Sequence, residues 1–256
     1  MGSRIAGVDE AGRGPWAGPV VAAAVVLRRR RLSVRIDDSK RLTASQRLRA
    51  FEAISENAEV GVGIVCAQEI DRRNILQATL LAMAEAIQQL PRVPKLVLVD
   101  GRDAPPSCIP CRPIVHGDQR SYVISCASIV AKVLRDRLMT FYDTLYPHYQ
   151  FSRHKGYGTT LHRQALQMWG PCILHRLTFN PVAQSSIDFA SPHHLMGFAA
   201  GKPPLRSSLL AIRQVAETGL RNLSARPGKH PMGRTRGGST ILTSSDGPSA
   251  RGAIPP

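Results

Sequence analysis

The spacing of hydrophobic residues changes several times along the chain, and each spacing predicts a different element. Two apolar runs, Ile5–Asp9 and Pro19–Leu27, predict strands joined by a glycine-rich turn. The second run is apolar on both faces, so we expect it to lie inside a sheet. Three more strands are predicted at Val60–Ala67, Lys95–Asp100 and Arg112–Val115.

Other stretches repeat their apolar residues every three or four positions, which predicts helices. Thr43 and Gln46 form a capping box that starts a helix of about a dozen residues. Two apolar stripes predict helices over residues 69–90 and from residue 123 to about residue 146, and a last helix is predicted at Thr160–Trp169. Strands and helices in this order predict an α/β domain with a mixed sheet.

The chain changes character near residue 190. We expect the α/β domain to occupy residues 1–189, because residues 190–256 are rich in Gly, Pro, Ser and Arg and poor in aromatics. Within this second segment, only residues 205–223 have the periodicity of a helix. The composition therefore predicts a basic, disordered C-terminal tail.

The charge of the chain indicates a polyanionic partner. The 256 residues carry a net charge of +16, and 43% of them are hydrophobic, which excludes wholesale disorder. The tail holds nine Lys and Arg residues against two acids, so +9 remains on residues 1–189. Nucleic acid is the simplest polyanion for a domain that is basic by itself, although basic residues also serve only as a solvated surface.

Apolar runs and cysteines indicate the compartment. The longest apolar run, Val20–Leu27, is far shorter than the roughly 18 residues of a membrane span, and the N-terminal apolar patch is too short for a secretory signal. The five cysteines form no regular framework. Cys108 and Cys111 make a lone CxxC, which lacks the second pair of a zinc knuckle, and Pro110 disfavours the helix of a thioredoxin-like motif. We therefore expect a reduced, cytoplasmic protein.

Four acids stand where predicted regular structure stops. Asp9 and Glu10 follow the first strand, Asp100 ends the fourth, and Asp118 precedes the long helix. Each alone could simply cap a turn, but carboxylates at strand ends of an α/β sheet tend to converge on one edge. Oxygen ligands without cysteine favour Mg²⁺ or Mn²⁺. Together with the basic charge, this set suggests phosphodiester hydrolysis with two metal ions.

Glycines follow the first pair of acids. Gly12 and Gly14 flank Arg13, so we expect the backbone here to approach a ligand closely and to present free N–H groups. Glycine turns are common, so the pattern gains meaning only from the adjacent carboxylates.

With these residues identified, the sequence resembles the ribonuclease HII family, the type 2 ribonucleases H. The resemblance covers residues 4 to about 183. Six blocks carry it in order: GVDEAGRGPWAGPVVAAAV, DDSKRLT, LVDG, GDQRSYVISCASIVAKVLRDR, HKGYGT and GPCILHRLTF. The chain departs from the usual family pattern around the second aspartate block, where His116, Gln119 and Arg120 stand.

This resemblance implies an RNase H-like fold with a five-stranded mixed sheet flanked by helices. It implies an endonuclease that cuts the RNA strand of RNA–DNA hybrids and cuts 5′ of single ribonucleotides in duplex DNA, leaving 3′-hydroxyl and 5′-phosphate ends. The family's metal-binding, catalytic acids fall on Asp9, Glu10, Asp100 and Asp118. Its junction-reading elements fall on Gly12, Arg13 and Gly14 and on Tyr157, whose hydroxyl could recognise a 2′-OH.

Further substrate contacts are open to two interpretations. Lys40 and Lys155 could bind phosphates or be solvated surface lysines. Ser121 could offer its hydroxyl and N–H to a phosphate or simply cap the long helix. Asp136 competes with Asp118 as fourth ligand, but its position inside a helix beside two arginines suits an ion pair better.

Two alternatives to this function remain at the level of sequence. The sister ribonuclease HIII normally carries an extra N-terminal domain, whereas the DEAGRG block begins here at residue 9. A basic nucleic-acid-binding module would use the same acids only structurally. The tail lacks the Gln-plus-paired-aromatic pattern of a sliding-clamp peptide, so we predict no protein partner and expect a monomer.

Overall fold

A computed structural model describes residues 4–189, and the predicted tail with its helix at 205–223 lies outside the described residues. The described chain contains the predicted five-stranded mixed sheet. Its strands are β1 (Ile5–Ala11), β2 (Val20–Leu27), β3 (Ala58–Val65), β4 (Leu96–Asp100) and β5 (Cys111–Ile114).

The strands lie in the order β3-β2-β1-β4-β5. β1 pairs antiparallel with β2, and β2 pairs antiparallel with β3, whereas β4 runs parallel to both β1 and β5. The carboxyl ends of β1, β4 and β5 therefore meet at one edge of the sheet, which is the edge where open α/β sheets keep their sites.

Helices cover both faces of the sheet. They are α1 (Ala44–Asn57), α2 (Ala67–Arg73), α3 (Ile75–Gln88), α4 (Gly117–Arg120), α5 (Tyr122–Leu145), α6 (Phe151–His154), α7 (Thr160–Trp169) and α8 (Val182–Phe189), with a 3₁₀ turn at Pro147–Tyr149. Odd-numbered residues of β2, such as Ala23, pack with α1 and α5, and even-numbered ones, such as Ala22, pack with α2 and α3. The prediction that β2 is buried on both faces is confirmed.

The long α5 lies directly on β1, and a glycine makes this possible. A Cβ on Gly7 would come within 2.4 Å of the Val123 carbonyl carbon. The capping box of α1 is also present, because the Gln46 N–H donates to Thr43 Oγ1 and the Thr43 N–H donates to Gln46 Oε1.

One predicted helix is wrong in its continuity. Residues 69–90 form parts of two helices, α2 and α3, which are interrupted at Asn74 with φ at 71°. The Asn74 side chain accepts a hydrogen bond from the Gln77 N–H and so caps α3. Apolar spacing alone does not register such a break, because both helices bury their apolar residues against the same face of the sheet.

No helix in residues 4–189 combines the length and apolar character needed to cross a membrane. All five cysteines lie within this described part, and each is a free thiol.

Candidate active site

The register between β1 and β4 brings two of the predicted acids together. Val8 pairs with Val99 in this parallel ladder, so Asp9 and Asp100 are the next residues on the two neighbouring strands. Val8 and Val99 are both buried in the core beneath α3, so the alternation of side chains along a strand directs Asp9 and Asp100 to the other face, where α5 lies.

A short turn after β5 brings the fourth acid to the same place. The Gly117 N–H donates to Asp100 Oδ1 at 2.6 Å, and the Asp118 N–H points at the same oxygen at 3.3 Å. A Cβ on Gly117 would lie 3.1 Å from this oxygen and 2.7 Å from Ile124 Cδ1, so glycine allows the close approach. Asp100 thus orients the turn that carries Asp118.

These acids line one cavity of about 390 Å³, which we call the acid cavity. Nine of the predicted site residues lie on its wall: Asp9, Glu10, Gly12, Arg13, Gly14, Lys40, Asp100, Asp118 and Tyr157. They come from β1 and its following turn, the loop before α1, the end of β4, α4 and the turn before α7. The structure therefore gathers segments that are far apart in the chain.

Asp9 is the most constrained acid of the cavity. It is only 5% exposed, and its Oδ1 accepts a hydrogen bond from the Glu10 N–H at 2.7 Å. Burial, and then the nearby charges of Glu10 and Asp100, raise the pKa of the Asp9 carboxyl well above its usual value. Within residues 4–189 no Lys, Arg or His forms an ion pair with Asp9, and the groups that lower its pKa are hydrogen bonds from the Ser128 side chain and the Glu10 backbone.

Glu10 and Asp118 experience the same repulsion less strongly. Burial raises the pKa of Glu10, and so does the charge of Asp100, while the Arg13 guanidinium 3.4 Å away lowers it. Burial, followed by the charges of Asp100 and Asp38, raises the pKa of Asp118, with Lys40 acting in the opposite direction. A bound cation would relieve the repulsion at all of these carboxyls.

The donor set fits a hard divalent ion, although the described residues contain no ready cage of three ligands around one point. The cavity offers carboxylate oxygens and no thiol or imidazole. Mg²⁺ typically binds through one or two carboxylates and keeps several waters, which substrate phosphates replace. An open arrangement of carboxylates is compatible with that mode of binding.

Two buried arginines hold the turn that follows β1. Arg135 donates to the carbonyls of Pro19, Ala17 and Lys155, at 2.9 to 3.1 Å. Arg176 donates to the carbonyls of Gly12, Arg13 and Gly18, at 2.6 to 3.1 Å. Burial lowers the pKa of Arg135 to about 10 and that of Arg176 to about 9. Residues 12–19, which we call the glycine loop, are thus held in place because their main-chain carbonyls accept hydrogen bonds from the two buried guanidinium groups.

The two glycines around Arg13 both line the acid cavity, but they differ in what surrounds them. Gly12 has a φ of +98°, and a Cβ there would lie 2.0 Å from Arg135 Nε, so this glycine makes room for a buried side chain. Gly14 meets only Tyr157 Cε1, at 3.9 Å. Open backbone next to the cavity is therefore found at Gly14, and Gly12 is required by packing.

Tyr157 stands at the rim of the cavity, 44% exposed, with the Arg135 guanidinium 5.9 Å from its ring centre.

The backbone carbonyl of Tyr157 accepts a hydrogen bond from the end of a chain of neutral histidines. The Cys172 N–H donates to His175 Nδ1 at 2.9 Å, so the His175 proton is on Nε2 and donates to His162 Nε2 at 3.0 Å. The His162 proton is then on Nδ1 and donates to the Tyr157 carbonyl at 3.0 Å.

Two predicted contacts lie outside the acid cavity. The Lys155 ammonium donates to Thr140 Oγ1 at 2.8 Å, away from the carboxylates. Ser121 precedes α5 without capping it by its side chain, and it lines a different cavity. Their phosphate contacts therefore stay predictions.

The expectation that Asp136 forms an ion pair is confirmed, but with other partners than its neighbours. It pairs with Lys132 at 2.7 Å and lies 3.9 Å from Arg47, because the neighbouring Arg135 is turned inwards. Asp136 is absent from the lining of the acid cavity.

Sequence reasoning missed a polar stripe of α5 that faces the acid cavity. Ser128, Lys132 and Arg135 line it at spacings of four and three, and the Ser128 hydroxyl is 3.0 Å from that of Ser39 in the loop before α1. The same helical period that predicted the apolar side of α5 could have identified these residues as a second face.

Comparison with known proteins agrees with this geometry. The family profile described as Ribonuclease HII matches residues 6–182. The chain is 52% identical over 185 residues to ribonuclease HII of Chlamydia muridarum, which covers 72% of this chain and 85% of that one. It is 53% identical over 184 residues to ribonuclease HII of Chelativorans sp., and this match covers 71% of this chain and 73% of that one.

A solved structure agrees as well. The crystal structure of ribonuclease H2 from Pyrococcus horikoshii superposes with a TM-score of 0.63 at 25% identity, covering 73% of this chain and 99% of that one. The fold is RNase H-like. The chain thus belongs to the ribonuclease HII family and is an endoribonuclease that acts on RNA–DNA hybrids.

Proposed function

We propose that, beyond the family's action on RNA–DNA hybrids, the protein cuts duplex DNA on the 5′ side of a single embedded ribonucleotide, leaving 3′-hydroxyl and 5′-phosphate ends. One observation carries the proposal: the acid cavity combines four carboxylates with Gly14 and Tyr157 on the same wall. The carboxylates suit the chemistry of phosphodiester hydrolysis. Gly14 and Tyr157 suit recognition of the sugar next to the phosphodiester that is cut.

The metal requirement follows from family membership, and the ligand set is our proposal. Asp9, Glu10, Asp100 and Asp118 would hold two divalent ions, Mg²⁺ or Mn²⁺. Bound in this way, such ions supply an activated water and stabilise the leaving oxygen. The raised pKa of Asp9 supports this assignment, because a buried carboxyl among like charges gains most from a nearby cation.

Residues of the chain position the substrate around this centre. Lys40 is exposed on the cavity wall, where its ammonium can pair with a phosphate. A Cβ on Gly14 would meet only Tyr157 Cε1, at 3.9 Å, so the Gly14 backbone and the Tyr157 ring are close enough to contact one sugar. Since the 2′-OH is what distinguishes RNA from DNA, this pair is our candidate reader of the ribonucleotide.

We further propose that residues 1–189 form the catalytic domain and that the protein acts as a monomer in the cytoplasm, with no protein partner required. The free state of all five thiols is compatible with a reducing compartment.

The test is cleavage of a DNA duplex that contains one ribonucleotide, with Mg²⁺ or Mn²⁺ added and the product ends mapped. We expect one cut 5′ of the ribonucleotide and no cut in an all-DNA duplex. Cleavage of long hybrids alone, with no cut at the single ribonucleotide, would refute the proposal.

Variants of Tyr157 refine this test. Tyr157→Phe keeps the ring against Gly14 and removes only the hydroxyl, so we expect reduced cleavage of the single-ribonucleotide duplex with duplex affinity retained. Tyr157→Ala removes both and should reduce cleavage further. Equal losses of affinity and cleavage in both variants would remove Tyr157 from the role of reader.

A further inference from the structure

Arginines line a second cavity, of about 700 Å³, at the end of the sheet where β1 begins and β2 ends. Its basic wall consists of Arg4, Arg28, Arg29, Arg30 and Arg92, and we call it the arginine groove. The predicted phosphate contact Ser121 lies on the same wall.

The charges of the arginine groove are only partly neutralised. The buried Glu59 carboxylate pairs with both Arg4 and Arg92. Arg28, Arg29 and Arg30 are exposed, and none of the three forms an ion pair with a carboxylate within residues 4–189. The groove thus presents a row of guanidinium groups that are available to an anion.

This groove is a neighbour of the acid cavity. Asp118 lines the acid cavity and Ser121 lines the groove, only three residues further along the chain. Both cavities also reach β1: Ile5 lines the groove and Asp9 lines the acid cavity. The four residues of strand from Ile5 to Asp9 span about 13 Å, which separates the two positions.

One loop also connects the two sites. It leaves β2 at Arg28, donates from the Leu32 N–H to the Tyr122 hydroxyl, and reaches Ser39, which contacts Ser128 at the acid cavity. The loop is thus bound to α5 at Leu32 and again at Ser39, and Arg28, Arg29 and Arg30 lie between the end of β2 and the first of these contacts.

We propose that the arginine groove binds the phosphate backbone of the substrate duplex about four base pairs from the scissile bond. This inference rests on the proposed function. Along the axis of a duplex each strand presents one phosphate for about every 3.4 Å, so 13 Å measured along that axis corresponds to about four base pairs. Guanidinium groups bind phosphate oxygens with two parallel hydrogen bonds, which suits arginine better than lysine at such a contact.

The experiment compares two double variants that remove the same charge. Arg29→Gln/Arg30→Gln alters the groove at two exposed side chains that form no hydrogen bond or ion pair within residues 4–189. Arg72→Gln/Arg73→Gln removes two arginines from α2, which packs on the other face of the sheet from α5. Binding of labelled duplex to the full chain is measured with a chelator present, so that no cleavage occurs, over roughly 50 to 200 mM salt.

For a duplex that extends about 12 base pairs on each side of the ribonucleotide, we expect the groove variant to bind more weakly than the wild type, and this deficit should be about 16-fold larger at the lower salt limit than at the upper one. The fall of log affinity with log salt concentration should be less steep than that of the wild type, with a slope whose magnitude is lower by about 2. The α2 variant should keep the wild-type slope.

Shortened duplexes locate the contact. Two are made, each cut back to about two base pairs on one side of the ribonucleotide. On one of them the wild type and the groove variant should bind equally, because the phosphates that reach the groove are missing. On the other, the difference should persist.

Three results would overturn the inference: an unchanged salt slope in the groove variant, the same change in the α2 variant, or a difference that survives on both shortened duplexes. Loss of binding to anionic vesicles with unchanged duplex binding would assign the groove to a membrane surface instead. Cleavage by the wild type in Mn²⁺ is measured in parallel, and its absence would refute the proposed function rather than the groove.

Discussion

The acid cavity and the glycine loop beside it both involve buried charged side chains, but these charges are balanced in different ways. Asp9 is buried among other carboxylates and forms no ion pair within residues 4–189. Arg135 and Arg176 are also buried, but each donates to three main-chain carbonyls. The first region leaves charge for a ligand to neutralise, whereas the second uses charge to fix the backbone.

This difference predicts that activity and stability respond separately to substitution. Residues that hold unsatisfied charge should be needed for cleavage and dispensable for folding. Residues with complete hydrogen bonding should be needed for folding, and their loss should affect cleavage only through the position of the loop.

The largest expected effect is on cleavage by Asp9→Asn. We expect activity to fall by more than the roughly 10- to 100-fold that loss of an outer-shell partner costs, because a proposed metal ligand is lost. The amide keeps an acceptor for the Glu10 N–H and removes a repelled charge, so the free energy of unfolding should be unchanged or higher. Rate assays and denaturant titration together test this. Retained turnover, or a clear loss of stability, would contradict the comparison.

Arg176→Met should have the opposite effect. It leaves the carbonyls of Gly12, Arg13 and Gly18 without their donor, and we expect a loss of about 3 kcal/mol or more in the free energy of unfolding. Arg153→Met is the control, since Arg153 is exposed and, within residues 4–189, its guanidinium hydrogen-bonds to Gln150 Oε1 alone. Equal stability of the two variants would show that the glycine loop does not depend on the buried guanidinium.

The two glycines provide a smaller and more local test. Gly12→Ala places a Cβ against Arg135 at a positive φ, and we expect a cost of at least about 2 kcal/mol in stability. Gly14→Ala meets only an ordinary contact with Tyr157 and should cost less than about 0.5 kcal/mol. Thermal unfolding of the pair measures the difference. If both variants lose the same stability, Gly12 has no special packing role.

The last prediction concerns pH and is spread over several pH units. Burial, then neighbouring histidine charge, lowers the pKa of His162 to about 4 and that of His175 to about 3. The unfolded chain therefore binds protons more readily, and stability should fall as pH drops from about 6.5 toward 4, by up to about 1.4 kcal/mol per pH unit for each histidine. His162→Gln should flatten this slope, and His148→Gln, at an exposed position, should leave it unchanged. An unchanged slope in His162→Gln together with a flatter one in His148→Gln would show that the buried histidines do not cause this pH dependence.

Much of the fold and of the acid cavity follows from short-range sequence pattern. Parallel strands end at one edge, so acids at the ends of β1 and β4 could be expected to meet without any coordinates. The sheet of five strands, the capping box of α1 and the buried character of β2 follow in the same way, because strand and helix periods determine which side chains share a face.

Other features depended on contacts that no local pattern contains. Gly12 lines the acid cavity as its position in the sequence suggests, but it also makes room for Arg135, which is more than 120 residues away in the chain. Arg176 reaches carbonyls more than 150 residues away. Main-chain acceptors have no signature in the sequence, so their donors could not be identified from it.

Side-chain direction explains the remaining differences. Lys155 and Ser121 stand in or beside the blocks that carry the family resemblance, yet one bonds Thr140 and the other faces the arginine groove. Lys155 has a left-handed backbone at φ 52°, which turns its side chain away from the direction that a regular helix would give. A motif locates a residue in the chain without fixing where its side chain points.

The most direct test of the account is the effect of Mg²⁺ and Mn²⁺ on the melting temperature of the full chain without substrate. If the acid cavity binds divalent cations, the melting temperature of the wild type should rise with metal concentration, since a ligand that binds only the folded state stabilises it. The rise should be lost or strongly reduced in Asp9→Asn. An equal rise in both proteins, or none in the wild type, would contradict the claim that these carboxylates form the metal site.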